Sequence, residues 1–314
     1  MVNSGGYVII AFMKPGKTLG NLMLFTTALI WGSAFVAQSV GAKALGNFTY
    51  CAIRLGLAFL FGLPFALIAL KKRATSIFKE KRLLLGGGVC GGVLFAAMNT
   101  QQAALSSVSV GKGGFISSLY IVIVPLLCIF YKKKPSGKIW AGVGLCCGGL
   151  WLLCMKEGLS SLTGGDLLMF ASAVLFALHI MAVDRFAGEE SFSLNCLQMG
   201  TAGVLSALCM LFFEKPDMAL IMPNWFPLLY AGVFSGGLAF LLQAAGQKYA
   251  SPAAASIIMS LESVFALLAG YVFLKEKASL RELAGCAVML TGMIISQLPE
   301  KTTKNKAIGE KQII

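Results

Sequence analysis

A chain of 314 residues that is 57% hydrophobic and 12% charged, with a mean hydropathy of +0.81, holds about half the roughly 25% charge usual in a soluble domain and reads as an all-α integral membrane protein. Its formal charge of +13 excludes the nucleic-acid class, because the basic residues sit in short loops between apolar spans and form no face or stripe. The nine cysteines lie in apolar spans with no CxxC pairing or Cys/His ligand spacing, which favours small buried hydrophobes over metal ligands or disulfides.

Residues 1–17 form an N-terminal tail whose short apolar run precedes its lysines, the wrong order for a signal peptide. Met13 is a candidate true start; the other reading is a disordered tail. About 20 apolar residues cross a bilayer as a helix. Ten such stretches follow, near 20–39, 47–70, 83–104, 109–131, 138–155, 165–184, 193–213, 225–246, 252–274 and 281–298. With a cytoplasmic N-terminus, the inside loops collect the clusters Lys71 to Arg82 and Lys132 to Lys138 and the tail lysines Lys301 to Lys311, while the outside loops carry less. Both termini in the cytoplasm of a cell-membrane protein is therefore the expected orientation. Residues 299–314 are a basic tail.

The chain repeats itself. Ser251 to Glu276 lies without a gap on Ser109 to Lys134, setting Ser260-Leu261 on Ser118-Leu119 and Lys275 on Lys133. Gly165 and Phe170 likewise fall on Gly20 and Phe25, Gln198 on Arg54, and Gln243 on Gln101. Two units, 18–155 and 156–298, are expected, each of five spans. Five is odd, so the second unit enters the membrane inverted, the arrangement of secondary transporters. Small residues such as Gly86 to Gly88, Gly142, Gly148-Gly149 and the Gly232/Gly236 pair fit close helix packing in lipid. Gly111-Lys112-Gly113 is no phosphate loop, having neither the upstream glycine nor the Ser or Thr.

Polar residues inside these spans are the candidates for chemistry. Glu262, near mid-span, is a proton acceptor or a cation-binding carboxylate, or else a structural partner of Arg54. Arg54 can hold a cargo carboxylate bidentately, or sit in a fixed ion pair. Tyr120 occupies the place Glu262 fills in the other unit; a phenol opposite a carboxylate makes an asymmetric pocket able to hydrogen-bond and stack on cargo. Lys112, at i−8 from Tyr120, shares its face about 12 Å away on a continuous helix, but can also snorkel to water. Trp31 lies on one face with Phe35 and Gln38, an aromatic wall beside an amide. Gln101 and Gln243 mirror each other, as cargo ligands or as interhelical hydrogen-bonding groups alongside Asn99, Gln102 and Gln247. His179, the single histidine, has no acid one turn away and reads as a packed residue before a proton relay. No nucleophile constellation or metal-ligand set is present in the sequence, so neither catalysis nor a metal or cofactor is indicated.

Trp31-Gly32-Ser33 with Phe35, Arg54 in the second span, the run Ser118-Leu119-Tyr120 to Pro125, and Ser260-Leu261-Glu262 ending in Lys275-Glu276 together resemble the EamA-type transporters of the drug/metabolite transporter superfamily. The resemblance covers residues 18–298. Two departures stand out: Ser263 where members often carry proline, and Lys134 where the second unit has Glu276. The resemblance implies export of small metabolites, amino-acid-like or amphipathic, through a cavity between the two halves. The expected partners are thus a small-molecule substrate, the lipid bilayer and, through Glu262, protons; uncoupled facilitation stays open. The rival classes are a membrane receptor or assembly protein that binds without moving its ligand, and an intramembrane lipid-modifying enzyme.

Overall fold

The computed structural model of the chain describes residues 16–72, 80–108, 110–154, 163–274 and 279–298. The candidate start at Met13, residues 1–15 of the N-terminal tail, the C-terminal tail and the Lys275-Glu276 pair lie outside them, and Lys17, expected in the tail, opens the first helix. All regular structure among the described residues is helical. The first half runs α1 (Lys17–Ala44), α2 (Asn47–Lys72), α3 (Lys81–Ala104), α4 (Val110–Ser117), α5 (Tyr120–Phe130) and α6 (Gly137–Cys154). The second runs α7 (Gly164–Arg185), α8 (Ser191–Phe213), α9 (Met218–Ile221), α10 (Trp225–Leu229), α11 (Phe240–Gly246), α12 (Pro252–Met259), α13 (Glu262–Leu274) and α14 (Leu280–Gln297). Seven stretches are long and apolar enough to cross a membrane: α1, α2, α3, α7, α8, the run Met218–Gly246 and the run Pro252–Phe273. Helix is what such sequences must form in hydrocarbon, where each backbone N–H and C=O needs a partner within its own segment.

Three of the ten expected spans are not the regular helices their composition predicts. The stretch 109–131 breaks between α4 and α5 at Ser118-Leu119, and 252–274 breaks between α12 and α13 at Ser260-Leu261. At both places the ladder tightens to i+3 bonds: Leu119 N–H reaches Ile116 O at 3.1 Å and Ile121 N–H reaches Ser118 O at 3.0 Å, while Leu261 N–H reaches Ile258 O and Ser263 N–H reaches Ser260 O, both at 3.2 Å. Proline is not the cause. Ser260 Oγ donates back to Ile257 O at 2.8 Å, the serine back-bonding that bends helices. The third irregular span begins at Met218, passes a 3₁₀ turn at Met222–Asn224 and then winds as a π-helix over Tyr230–Ala239. Wider turns redirect carbonyls. Those of Ser235, Gly237 and Ala239 accept Trp31 Nε1 at 3.2 Å, Asn195 Nδ2 at 3.1 Å and Thr27 Oγ1 at 3.1 Å.

The bundle is built from pairs: α6 along α14, α2 along α8, α3 against α7 and α8, and α1 against α13. Lipid gives helices little hydrophobic reason to associate, so backbone approach must supply the contact. A Cβ on Gly149 would stand 2.6 Å from Gly285 O, and one on Gly292 2.9 Å from Gly142 O, so α6 and α14 meet through their glycines. Not every glycine is used this way, since Gly88, Gly144 and Gly148 have open space around them. Cys51, Cys90, Cys128, Cys146, Cys196 and Cys286 are buried among these contacts as free thiols. The α2 N-terminus is held from a distance: Glu214, which follows α8, accepts Phe48 N–H at 3.1 Å, Thr49 N–H at 2.8 Å and Thr49 Oγ1 at 2.7 Å. Ion pairs join the elements at Lys133–Asp184 and Arg82–Glu189.

Candidate functional site: a buried pocket shared by Glu262 and Arg54

A narrow cavity of about 30 Å³ lies between α1, α2, α3, α4, α5, α7, the π-helical stretch, α11 and α13. Five of the seven residues singled out from the sequence line it: Glu262, Arg54, Tyr120, Trp31 and Gln101. Glu262 and Arg54 are only 4% and 2% exposed, which makes them costly residues with a local reason to exist.

Glu262 opens α13 directly after the break, so the irregular turn places its carboxylate at the pocket wall. Tyr120 opens α5 after the matching break. Its hydroxyl donates to Glu262 Oε1 at 3.1 Å, and beside it the Ser118 and Ser263 hydroxyls meet at 2.6 Å. Ser263 Oγ also donates to Gly114 O at 3.2 Å. Ser263 is thus a hydrogen-bonding link to α4. A break in the fourth span also means that Lys112 and Tyr120 do not share one continuous helix face, contrary to the spacing argument. The Lys112 side chain lies outside what the structure describes.

Arg54 is not the ion-pair partner of Glu262 that one reading allowed. Its Nη1 donates to Gln38 Oε1 at 3.0 Å and its Nη2 to Ser235 Oγ at 3.4 Å, and its guanidinium stands 5.7 Å from the Tyr50 ring centroid. Its Nε finds no acceptor among the described residues. Neutral partners and one aromatic face hold it in place without neutralising it. The pocket therefore offers one cationic fork and one carboxylate. Such a pair suits a molecule carrying both signs of charge, or an acid whose binding is linked to a proton on the carboxylate.

Trp31-Gly32-Ser33 and Phe35 all contribute. Trp31 and Phe35 line the cavity, and Ser33 Oγ meets Tyr230 Oη at 2.6 Å. Gly32 lets α1 lie on the first turn of α13, since a Cβ there would come 2.5 Å from Glu262 O. The rest of the lining includes Ser235, a polar residue not singled out in the sequence, and Phe176, Phe240 and Met98, apolar residues that polarity does not mark out. The internal repeat does mark two of them: extended in register, it sets Phe176 on Trp31 and Phe240 on Met98. Trp31 and Phe240 rings pack at 4.8 Å between centroids.

Gln101 and Gln243, paired in the sequence, part company in the structure. Gln101 lines the pocket and donates to Ser117 Oγ at 3.0 Å. Gln243 is buried on α11 away from that lining, and both polar atoms of its amide lack a partner among the described residues. In the same register Met259 falls on Ser117, so the hydroxyl that satisfies Gln101 has no counterpart. Gln102 and Gln247 donate to the carbonyls of Gln38 and Ile180 at 3.2 and 3.0 Å, and Asn99 to Ser206 Oγ at 2.8 Å. These are interhelical fasteners. His179 Nε2 lies 3.0 Å from Gln198 Oε1 and its ring packs edge-on to Phe240, a packed residue with no carboxylate partner among the described residues.

Comparison with known proteins agrees with this architecture. An uncharacterized transporter of Archaeoglobus fulgidus is 27% identical over 283 residues, covering 90% of this chain and 87% of its own. The uncharacterized transporter YoaV of Bacillus subtilis is 22% identical, with 88% and 95% covered. A solved crystal structure superposes with a TM-score of 0.74 at 20% identity, covering 89% of this chain and 96% of its own, a likeness of fold. The profile of the EamA-like transporter family matches twice, over residues 18–155 and 163–297. With its membrane-spanning helices, its buried charged pocket and a family match over nearly its whole length, the chain belongs to the EamA-like transporter family.

Proposed function

We propose that this membrane transporter is a secondary carrier of ten spans, arranged as two inverted five-helix halves, that exports small organic metabolites by alternating access. Residues 18–155 and 156–298 form the halves, with both termini cytoplasmic in the cell membrane. The cargo is amino-acid-like or amphipathic: Arg54 takes its acid group, Glu262 its cationic group or a proton, and Trp31, Phe35 and Tyr120 its apolar body. Proton exchange on Glu262 couples the two sides.

The observation that carries this reading is the Tyr120–Glu262 hydrogen bond of 3.1 Å. It joins two residues that occupy the same place in the two sequence units, at the wall of a pocket that also holds an unneutralised arginine. The matching breaks at Ser118-Leu119 and Ser260-Leu261 support the repeat. So does the pattern of contacts, in which α6 meets its counterpart α14 and α2 meets α8, while α1 on the π-helical stretch answers α7 on α3. At about 30 Å³ the cavity has room for about one or two waters, so cargo enters only when the halves move apart.

The test is efflux from liposomes loaded with a metabolite mixture, read by mass spectrometry under an imposed pH gradient. Gradient-dependent loss of one solute class from wild type, abolished by Glu262→Gln, is the expected result. Equal, gradient-insensitive loss from both proteins would remove the coupling role of Glu262. Binding without counterflow would favour a receptor.

A further inference from the structure

A second cavity, of about 360 Å³, opens where α5 ends, α6 and α12 begin and α14 finishes. It is large enough for a small ligand and much roomier than the central pocket. Lys17, Lys133 and Lys134 line it with the hydroxyl residues Ser136 and Ser251, over a floor that includes Ile139 and Ala254; no acidic side chain is among its described lining.

The lysines are placed there by local structure. Lys132 takes a left-handed backbone conformation, φ 57°, and Lys133 N–H reaches Cys128 O at 2.9 Å while Lys132 N–H reaches Ile129 O at 3.0 Å. These paired bonds are a Schellman stop made without glycine, and they turn Lys133 and Lys134 onto the rim. Lys133 is anchored by Asp184, and Lys17 Nζ donates to Gln297 O at 3.4 Å; an ammonium has three donors, so each keeps others free. Lys134 has no partner among the described residues. Its charge is no legacy of the repeat, because the matching position of the second unit is Glu276. A general inward excess of lysine explains basic loops, but it does not require a cavity walled by them. Phe130, just before the turn, is an apolar side chain left 83% exposed.

We propose that this cavity binds a phosphate-bearing anion, either the headgroup of an anionic phospholipid or a soluble phosphate compound. Ammonium groups brought together from the start of α1 and the turn after α5, with hydroxyl residues in the same lining, match a phosphate's several acceptor oxygens. The site is separate from the Glu262 pocket, and its occupancy is measurable without any transport.

The test is native mass spectrometry of the purified full-length protein in mild detergent, offered equal amounts of phosphatidylglycerol and phosphatidylcholine. The Lys17→Gln/Lys134→Gln double variant, which leaves the Lys133–Asp184 pair intact, should lower the preference for phosphatidylglycerol by about tenfold. Ser136→Trp should lower it comparably by filling the cavity without changing charge. Lys71→Gln/Lys72→Gln, an equal charge change at the exposed end of α2, should leave it unchanged. Displacement of the lipid by millimolar inorganic phosphate assigns the site to a soluble source, and resistance assigns it to the headgroup. Equal effects of the two double variants, or no preference in wild type, would overturn the proposal.

Discussion

At the residue scale, the pocket is governed by what its two charges can and cannot find. Arg54 spends two nitrogens on Gln38 and Ser235 and keeps donors for cargo. A lysine carries the charge but not the planar fork, so Arg54→Lys is expected to raise the apparent KM for an acid-bearing cargo about tenfold or more, equivalent to ~1.4 kcal/mol, with the folded fraction in detergent unchanged. A KM that does not move would place the cargo elsewhere. Tyr120→Phe deletes one hydrogen bond to Glu262, a loss of about 0.5–1.5 kcal/mol in binding or stability, readable by thermal unfolding alongside flux. Glu262, Arg54 and Tyr120 were legible in the sequence because polar groups stand out in apolar spans. Phe176 and Phe240 were not, since an aromatic in a membrane helix is unremarkable until its register partner is seen to line a pocket. Gln243 misled for the opposite reason: its symmetry with Gln101 is real in sequence, but Met259 replaces the serine that completes the arrangement.

At the level of elements, the site depends on two places where a helix stops being regular. Ser-Leu steps carry no proline or glycine, so neither break could be read from composition. Their function is visible only in three dimensions, where each starts a new helix with Tyr120 or Glu262 at its first position. The π-helical stretch was equally hidden, although its exposed carbonyls explain why Trp31, Thr27 and Asn195 carry donors. Gly32 is the element-level counterpart of these breaks. Gly32→Ala places a methyl against Glu262 O and Phe265 and should cost about 1–3 kcal/mol as overpacking, with a lower melting temperature in detergent, whereas Gly144→Ala, at a site with open space around it, should be near neutral. Equal melting temperatures would show that α1 does not need its close approach to α13. Glu214 offers an independent check. Glu214→Ala removes the remote cap of α2, the helix that carries Arg54, and should destabilise by about 0.5–2 kcal/mol.

At the scale of the whole molecule, the all-helical class and the approximate limits of the long apolar helices were legible because hydrocarbon permits so few backbone solutions. Helix pairing was legible only in part: glycines announced that helices would approach closely, but not that Gly142 and Gly149 would meet α14 while Gly144 and Gly148 faced open space. Among the contacts that cross between the proposed carrier's halves at the pocket are Tyr120 to Glu262 and Ser118 to Ser263, and alternating access by the proposed motion requires both to separate in each cycle. The decisive measurement is efflux through a Ser118→Cys/Ser263→Cys variant, whose parent hydroxyl oxygens lie 2.6 Å apart, assayed oxidised and reduced beside the two single-cysteine controls. Flux that stops in the oxidised double variant, returns with reductant and is insensitive to oxidant in both controls is the predicted result. Undiminished flux through a fully cross-linked protein would show that the pocket between the halves is not the route.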